Sequence, residues 1–201
     1  MIEITNILDV EKHLNGIEAV VFDLDDTLYS EKDYVRSGFM AAAPDHFDEL
    51  WQAFSEGKPA FDAVLPERKE QALVIYRNHK PSIELYPGVR DMLLRIKASG
   101  RKLGVITDGR PEGQRAKIEA LGLTELADEI IITDELGGTE FRKPCDKAFR
   151  VMQGKLATPF EKMVYVGDNI SKDFIAPEQL GMQSIFYINI DGIYWTGEMK
   201  C

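Results

Sequence analysis

Residues 18–27 read EAVVFDLDDT, a run of four apolar side chains that ends in a cluster of carboxylates. So short a run, β-branched and aromatic with no helical period, predicts a buried strand whose carboxyl end opens into an acidic turn. Four further stretches are built alike: LGVIT at 103–107, EIIIT at 129–133, MVYV at 163–166 and SIFY at 184–187. The segments between them have helical period. Residues 88–99 place Val89, Met92, Leu93 and Ile96 on one face, and Pro111 stands at a first helical position ahead of Ile118 and Leu121. Gly100, Gly122 and Gly181 follow these segments as stops. Strand alternating with helix predicts the α/β class, a Rossmann-like parallel sheet with helices on both faces.

One connection is too long for that pattern. Residues 31–84 separate the first strand from the second, far more than the ~10–12 residues a crossover needs. Pro44, Gly57, Pro59 and Pro66 break this stretch, and Phe39, Phe47, Trp51, Phe54, Phe61 and Tyr76 give it a small core of its own. The expectation is an α/β core of residues 1–30 and 85–201 with a small all-helical cap inserted at 31–84. The aromatic residues are read as the cap's packing. Tyr29, Tyr34, Phe39 and Trp51 reach the cleft only if the first cap helix faces it.

The composition narrows the function. The 201 residues carry 34 acidic and 24 basic side chains, a formal net charge of −10, with 44% hydrophobic and 29% charged content. That sign repels nucleic-acid phosphates and anionic lipid, so neither a nucleic acid nor a membrane is an expected partner. No apolar run approaches the ~18 residues of a membrane span, and residues 1–16 have no signal-peptide pattern. The two cysteines, Cys145 and Cys201, have no metal-finger spacing and suit a reducing cytoplasm. No heptad calls for a partner helix, so a monomer or weak homodimer is expected. The three histidines, His13, His46 and His79, lack metal-ligand spacing and are read as surface or packing residues.

The unusual polar residues fall where strands end, which is where open parallel sheets bind ligands. After the first strand, alternation along an extended segment puts Asp23 and Asp25 on the same side, two carboxylates that repel unless a cation lies between them. A hard, oxygen-seeking ion such as Mg²⁺ answers that need. Thr107, Asp108 and Gly109 end the second strand with a hydroxyl and backbone N–H groups ahead of a helix, a cradle for a phosphoryl oxygen. Lys143 stands in the next loop as a point charge for the same anion. The loop GDNISKD, residues 167–173, adds Asp168, Asn169 and Asp173.

With these residues in order, as DLDDT, the threonine of VITDG, the lysine of FRKP, and GDNISKD, the chain resembles the haloacid dehalogenase-like hydrolase superfamily from about residue 17 to 187. The long insertion resembles the helical cap of the family's first cap class. The resemblance implies a Mg²⁺-dependent phosphatase acting on a small phosphate monoester, such as a sugar phosphate, nucleotide or similar metabolite, through an aspartyl-phosphate. It implies Asp23 as nucleophile, and Asp25 as general acid and base. The metal would be held by Asp23, the Asp25 carbonyl and Asp168. Thr107 and Lys143 would hold the phosphate with backbone N–H groups of Asp108 and Gly109, while Asp173, Thr27 and Asn169 support the site. Asp108 stands where many relatives have asparagine, so its position carries over but no side-chain role does. Asp25 argues against dehalogenation, which needs no proton for an alkoxide. Two alternatives stand: a phosphomutase on the same scaffold, and a non-hydrolytic phospho-acceptor module, which has no reason to carry the insertion. Neither GxxxxGK[ST] nor GxGxxG occurs, which sets aside the common nucleotide-binding loops.

Overall fold

The computed structural model describes residues 1–195. Six strands form one parallel sheet: β1 (Ile2–Ile4), β2 (Ala19–Phe22), β3 (Lys102–Thr107), β4 (Glu129–Ile132), β5 (Met163–Gly167) and β6 (Gln183–Tyr187). Their order across the sheet is β1-β6-β5-β2-β3-β4. The fold is the expected α/β Rossmann-like sheet, with one more strand than the sequence announced. β1 has three residues and pairs with β6 at the edge, Ile2 opposite Ile185. Its IEI alternation is too brief to stand out, and only the neighbouring strand makes it one.

Every residue of β2 is buried, because helices cover both faces of the sheet. Val20 and Phe22 pack on one side with Val89, Met92, Leu93 and Ile96 of α5 (Val89–Ala98) and Ile118 of α6 (Pro111–Ala120). Ala19 and Val21 pack on the other with Ala148, Phe149 and Met152 of α8 (Lys147–Leu156). Burying each large side chain of such a strand stabilises the fold by ~1.5–3 kcal/mol. Pro111 opens α6, and Gly100, Gly122 and Gly181 take positive φ where helices stop.

Between β2 and α5 lie four helices, α1 (Glu31–Ala42), α2 (Phe47–Ser55), α3 (Ala60–Val64) and α4 (Lys69–Asn78). They enclose an apolar cluster of their own, with Phe39 edge-on to Phe61 and Phe54. Each such edge contact adds ~0.5–1.5 kcal/mol beyond burial. α1 and α4 cross so closely at Gly38 that a Cβ there would overlap the Tyr76 ring. The chain enters and leaves this stretch side by side, with the Tyr86 N–H donating to the Leu28 carbonyl at 2.9 Å. The short α7 (Leu123–Leu126) and α9 (Ile175–Gln179) complete the α-helices among the described residues. Among the described residues no helix is long and apolar enough to cross a membrane. Cys145 is a free thiol, and Cys201 lies outside the described residues.

Candidate active site

The strand order reverses at β2 and β5, and the residues that follow these two strands face each other. Phe22 is in register with Val166, and the Asp23 N–H donates to the Val166 carbonyl at 2.8 Å. Asp23 and the β5 loop are thereby brought together from opposite ends of the chain. A cavity of about 450 Å³ opens above them, lined among others by Asp23, Asp25, Asp108, Gly109, Lys143 and Asp168.

Lys143 is the most deeply buried of the three cationic side chains that line it, beside Arg142 and Lys172. It is buried, and its Nζ lies 2.6 Å from Asp23 Oδ1, 2.8 Å from Asp173 Oδ1 and 2.9 Å from the Tyr165 hydroxyl. Burial opposes its charge, but Asp173 and Asp23 more than compensate and hold it well above the ordinary lysine range. Asp173 is fixed in turn by the Asn169 N–H at 3.0 Å. The loop needs Gly167 for this: a Cβ there would lie 2.5 Å from Asp173 Oδ2.

Three carboxylates then converge. Asp23, Asp168 and Asp173 each offer an oxygen within 4.8 Å of the others. Burial first, then the charges of Asp23 and Asp173, push Asp168 up to about 9. Burial also raises Asp23, to about 7, against the pull of Lys143. All-oxygen donors that repel one another are a fitting seat for a hard divalent cation. The Thr27 hydroxyl donates to Asp168 Oδ1 at 3.2 Å. The Asn169 side chain instead accepts from Ser171 N–H and hydroxyl, closing its own turn.

Asp25 departs from the charge argument made on sequence. Its side chain is not in the carboxylate group and does not wait for a shared ion. Oδ1 accepts from Lys117 Nζ at 2.7 Å and from the Tyr29 hydroxyl at 2.5 Å, and Oδ2 accepts from Gln114 Nε2 at 2.9 Å. Burial works to raise Asp25, but the Lys117 charge and these three donors outweigh it and hold the carboxyl below its ordinary range. Glu31, 3.7 Å from the same Lys117 Nζ, is pushed up to about 8, by burial first and then by Asp25.

Thr107 is fully buried, and its hydroxyl has no partner among the described residues. Asp108 does have a side-chain role: Oδ1 accepts from the Lys143 N–H and the Thr133 hydroxyl, both at 3.0 Å, and Oδ2 from Lys172 Nζ at 2.9 Å. Burial notwithstanding, the charges of Lys143 and Lys172 hold it below the ordinary carboxylate range. Asp26 turns away from the cavity. With φ at 53° it accepts from the Glu31 N–H at 2.9 Å and the Ile193 N–H at 2.7 Å, and its carbonyl accepts from Asn189.

Sequence reasoning missed Lys117, Gln114, Tyr29's contact and Lys172. Gln114 and Lys117 stand three apart on α6, a spacing that puts them on one helix face, and that was the available signal. Of the aromatic residues, Tyr29 and Tyr34 reach the site, the latter lying 4.3 Å beneath Lys117 Nζ. Phe39 stays in the insertion's core, and Trp51 stacks under Arg36. Tyr194 lines the cavity mouth, while Trp195 packs on the α8 side of the core.

Residues 20–187 match the family model of haloacid dehalogenase-like hydrolases. The chain is 31% identical to glyceraldehyde 3-phosphate phosphatase of Methanocaldococcus jannaschii, over 84% of each chain. It is 26% identical to the pyrophosphatase PpaX of Halalkalibacterium halodurans, over 84% of this chain and 82% of that one. Its fold superposes on a putative β-phosphoglucomutase of Thermotoga maritima with a TM-score of 0.61 and 21% identity, over 85% of each chain, a likeness of fold alone. With phosphatases among its relatives and the strand-end carboxylates assembled as described, the chain is an enzyme of the haloacid dehalogenase-like hydrolase family.

Proposed function

We propose that this enzyme is a Mg²⁺-dependent phosphatase that hydrolyses a small phosphate monoester in the cytoplasm, with Asp23 as nucleophile. The observation that carries the reading is the position of Asp23, with Lys143 at 2.6 Å on one side and the carboxylates of Asp168 and Asp173 on the other. A lone carboxylate is repelled by a phosphate. Lys143 and a cation seated on the acidic side remove that barrier from both directions. Asp23 and Asp168, with the Asp25 backbone carbonyl, would hold Mg²⁺, which supplies positive charge to phosphoryl oxygens and nucleophile. The unpartnered Thr107 hydroxyl and the backbone N–H groups of Asp108 and Gly109 receive the remaining phosphoryl oxygens.

In the first step an Asp23 oxygen bonds to phosphorus and the ester oxygen leaves, taking a proton from Asp25. In the second, ionised Asp25 takes a proton from water as that water attacks the aspartyl-phosphate, and Asp23 departs. The proton used in the first step is returned in the second. The donors around Asp25 favour the ionised form this second step needs, so the first step runs through the smaller fraction of Asp25 that carries a proton. Helices α1–α4 act as a cap that limits water and substrate size, so small metabolites are the expected esters and a monomer or weak homodimer suffices.

The test is phosphate release from a panel of small esters with and without Mg²⁺, on wild type and Asp23→Asn. Mg²⁺-dependent release that the variant abolishes is expected. Release unaffected by Asp23→Asn overturns the nucleophile assignment, and phosphoryl transfer between substrate hydroxyls without release makes the protein a mutase.

A further inference from the structure

A second cavity, of about 330 Å³, adjoins the first, and Gln114 lines both. It lies where α1 and α4 meet the start of α6, and Tyr34, Tyr76, Arg77, Arg110 and Lys117 line it with no aspartate or glutamate. In a chain of formal net charge −10 this is a local reversal of sign. Lys117 is committed to Asp25 and Glu31. Six arginines form ion pairs, whereas Arg77 and Arg110, like Arg68 and Arg101 elsewhere, have no carboxylate partner among the described residues.

Arg77 and Arg110 are neighbours at this cavity. Arg110 Nη2 lies 3.4 Å from the Arg77 carbonyl, which joins the start of α6 to the end of α4. A Cβ placed on Gly113 would lie 3.7 Å from both Arg110 Nη2 and the Tyr34 hydroxyl, so both groups lie over a bare turn of α6. At the border with the catalytic cavity, Gln114 spends its Nε2 on Asp25 and on the Asp108 carbonyl at 2.7 Å. Its Oε1 is buried with no partner among the described residues. One cavity thus holds the carboxylates that would seat a cation, with Lys143 and Lys172 among them for a phosphoryl group. The other is lined by two exposed arginines that make no ion pair among the described residues, and a buried acceptor stands between the two cavities.

We propose that the second cavity is an anion subsite, and that the natural substrate is a phosphate monoester whose leaving group ends in a second anion, a carboxylate or a phosphate. The ester phosphate sits at Asp23 and the distal anion between Arg77 and Arg110, whose planar forks match either oxyanion. A hydroxyl on the connecting chain donates to Gln114 Oε1. This assignment deepens the phosphatase reading above and rests on it.

The experiment compares esters on one three-carbon, 2-hydroxy skeleton that differ only at the far end: glycerol 3-phosphate, 3-phosphoglycerate and glycerol 1,3-bisphosphate. Turnover is measured on wild type, Arg77→Gln, Arg110→Gln and Arg110→Lys, and Kd for the same esters is measured on Asp23→Asn with and without each arginine change. One or both anion-ended esters should exceed the neutral one by about 10- to 100-fold in kcat/KM, and the better of the two names the anion. Either Gln variant should remove that preference through KM and leave glycerol 3-phosphate turnover unchanged, with Arg110→Lys restoring part of it. Equal turnover of all three esters by wild type, or equal losses on all three in the Gln variants, overturns the subsite. If no ester is turned over, the phosphatase reading fails, and the Kd series still decides the subsite by whether the distal anion strengthens binding through the arginines.

Discussion

Around Asp23 most neighbours are acids, whereas around Asp25, two residues further on, they are donors. Asp23 shares its space with Asp168 and Asp173, and only Lys143 stands against them at contact distance. Asp25 has Lys117, Gln114 and Tyr29 on its two oxygens. Burial pushes both carboxyls up: at Asp23 it prevails over Lys143, with Asp173 adding to it, and leaves the group at about 7, whereas at Asp25 Lys117 and the other donors overcome it and hold the group below its ordinary range. Alternate residues of one extended segment thus acquire opposite tendencies from what faces them: Asp23 calls for more positive charge, and Asp25 already has its share.

The sharpest way to break this contrast is Asp25→Asn, which keeps the shape and removes proton transfer. Turnover of alkyl phosphates should fall by about 10²–10⁴-fold, the range of general acid–base catalysis, and that of 4-nitrophenyl phosphate by much less in the first step, because its leaving group needs no proton. Burst kinetics with both esters would check it; equal losses in ester cleavage would remove Asp25 from the acid role. Next in size is Lys143→Met, which strands two buried carboxylates. Unfolding in urea should show a loss of about 3–5 kcal/mol at pH 8, and an unchanged midpoint would mean that the ion pairs contribute nothing.

A third prediction uses the raised carboxylates. Asp168 moves from 3.8 to about 9 on folding, so between those values the folded protein binds protons that the unfolded chain releases. Without metal, stability should therefore fall as pH rises from about 4 towards 9. Mg²⁺ needs the deprotonated oxygens, so its effect on Tm should be larger at pH 8.5 than at pH 5. Thermal melts in EDTA and in Mg²⁺ at the two pH values test this, and an EDTA melt that rises with pH contradicts it. The smallest change expected is Tyr29→Phe, which takes one of three donors from Asp25 and should cost about 1 kcal/mol. A loss as large as that of Lys143→Met would mean that Tyr29 organises the whole donor set.

How much of this was legible in the sequence follows from range. β2, β3 and β5 declared themselves because a strand buried on both faces has to be apolar throughout, a condition written in consecutive residues. Asp23, Thr107, Lys143 and Asp168 declared themselves because each follows such a strand or stands in a loop beside it. Lys117 did not. In isolation it is a lysine in a helix rich in charge, and only Asp25 beside it, with Tyr34 of α1 beneath it, makes it a buried partner. β1 escaped for the same reason, since a three-residue edge strand owes its existence to β6. The sign of the Asp25 environment was misjudged because the sequence displays the repulsion between neighbours but not the cation that arrives from ninety-odd positions away.

The Asp26 carboxylate takes the first N–H of α1 with one oxygen and the N–H of Ile193 with the other. Mechanically this is a yoke, with two distant stretches of chain hung from a single pin beside the nucleophile. The root of α1 and the strand-following turn at 189–193, which leads to Tyr194 in the cavity lining, thus share one acceptor. With Asp26→Ala both N–H groups lose this acceptor, and the Asn189 bond to the residue 26 carbonyl is left to tie the turn to the root of α1.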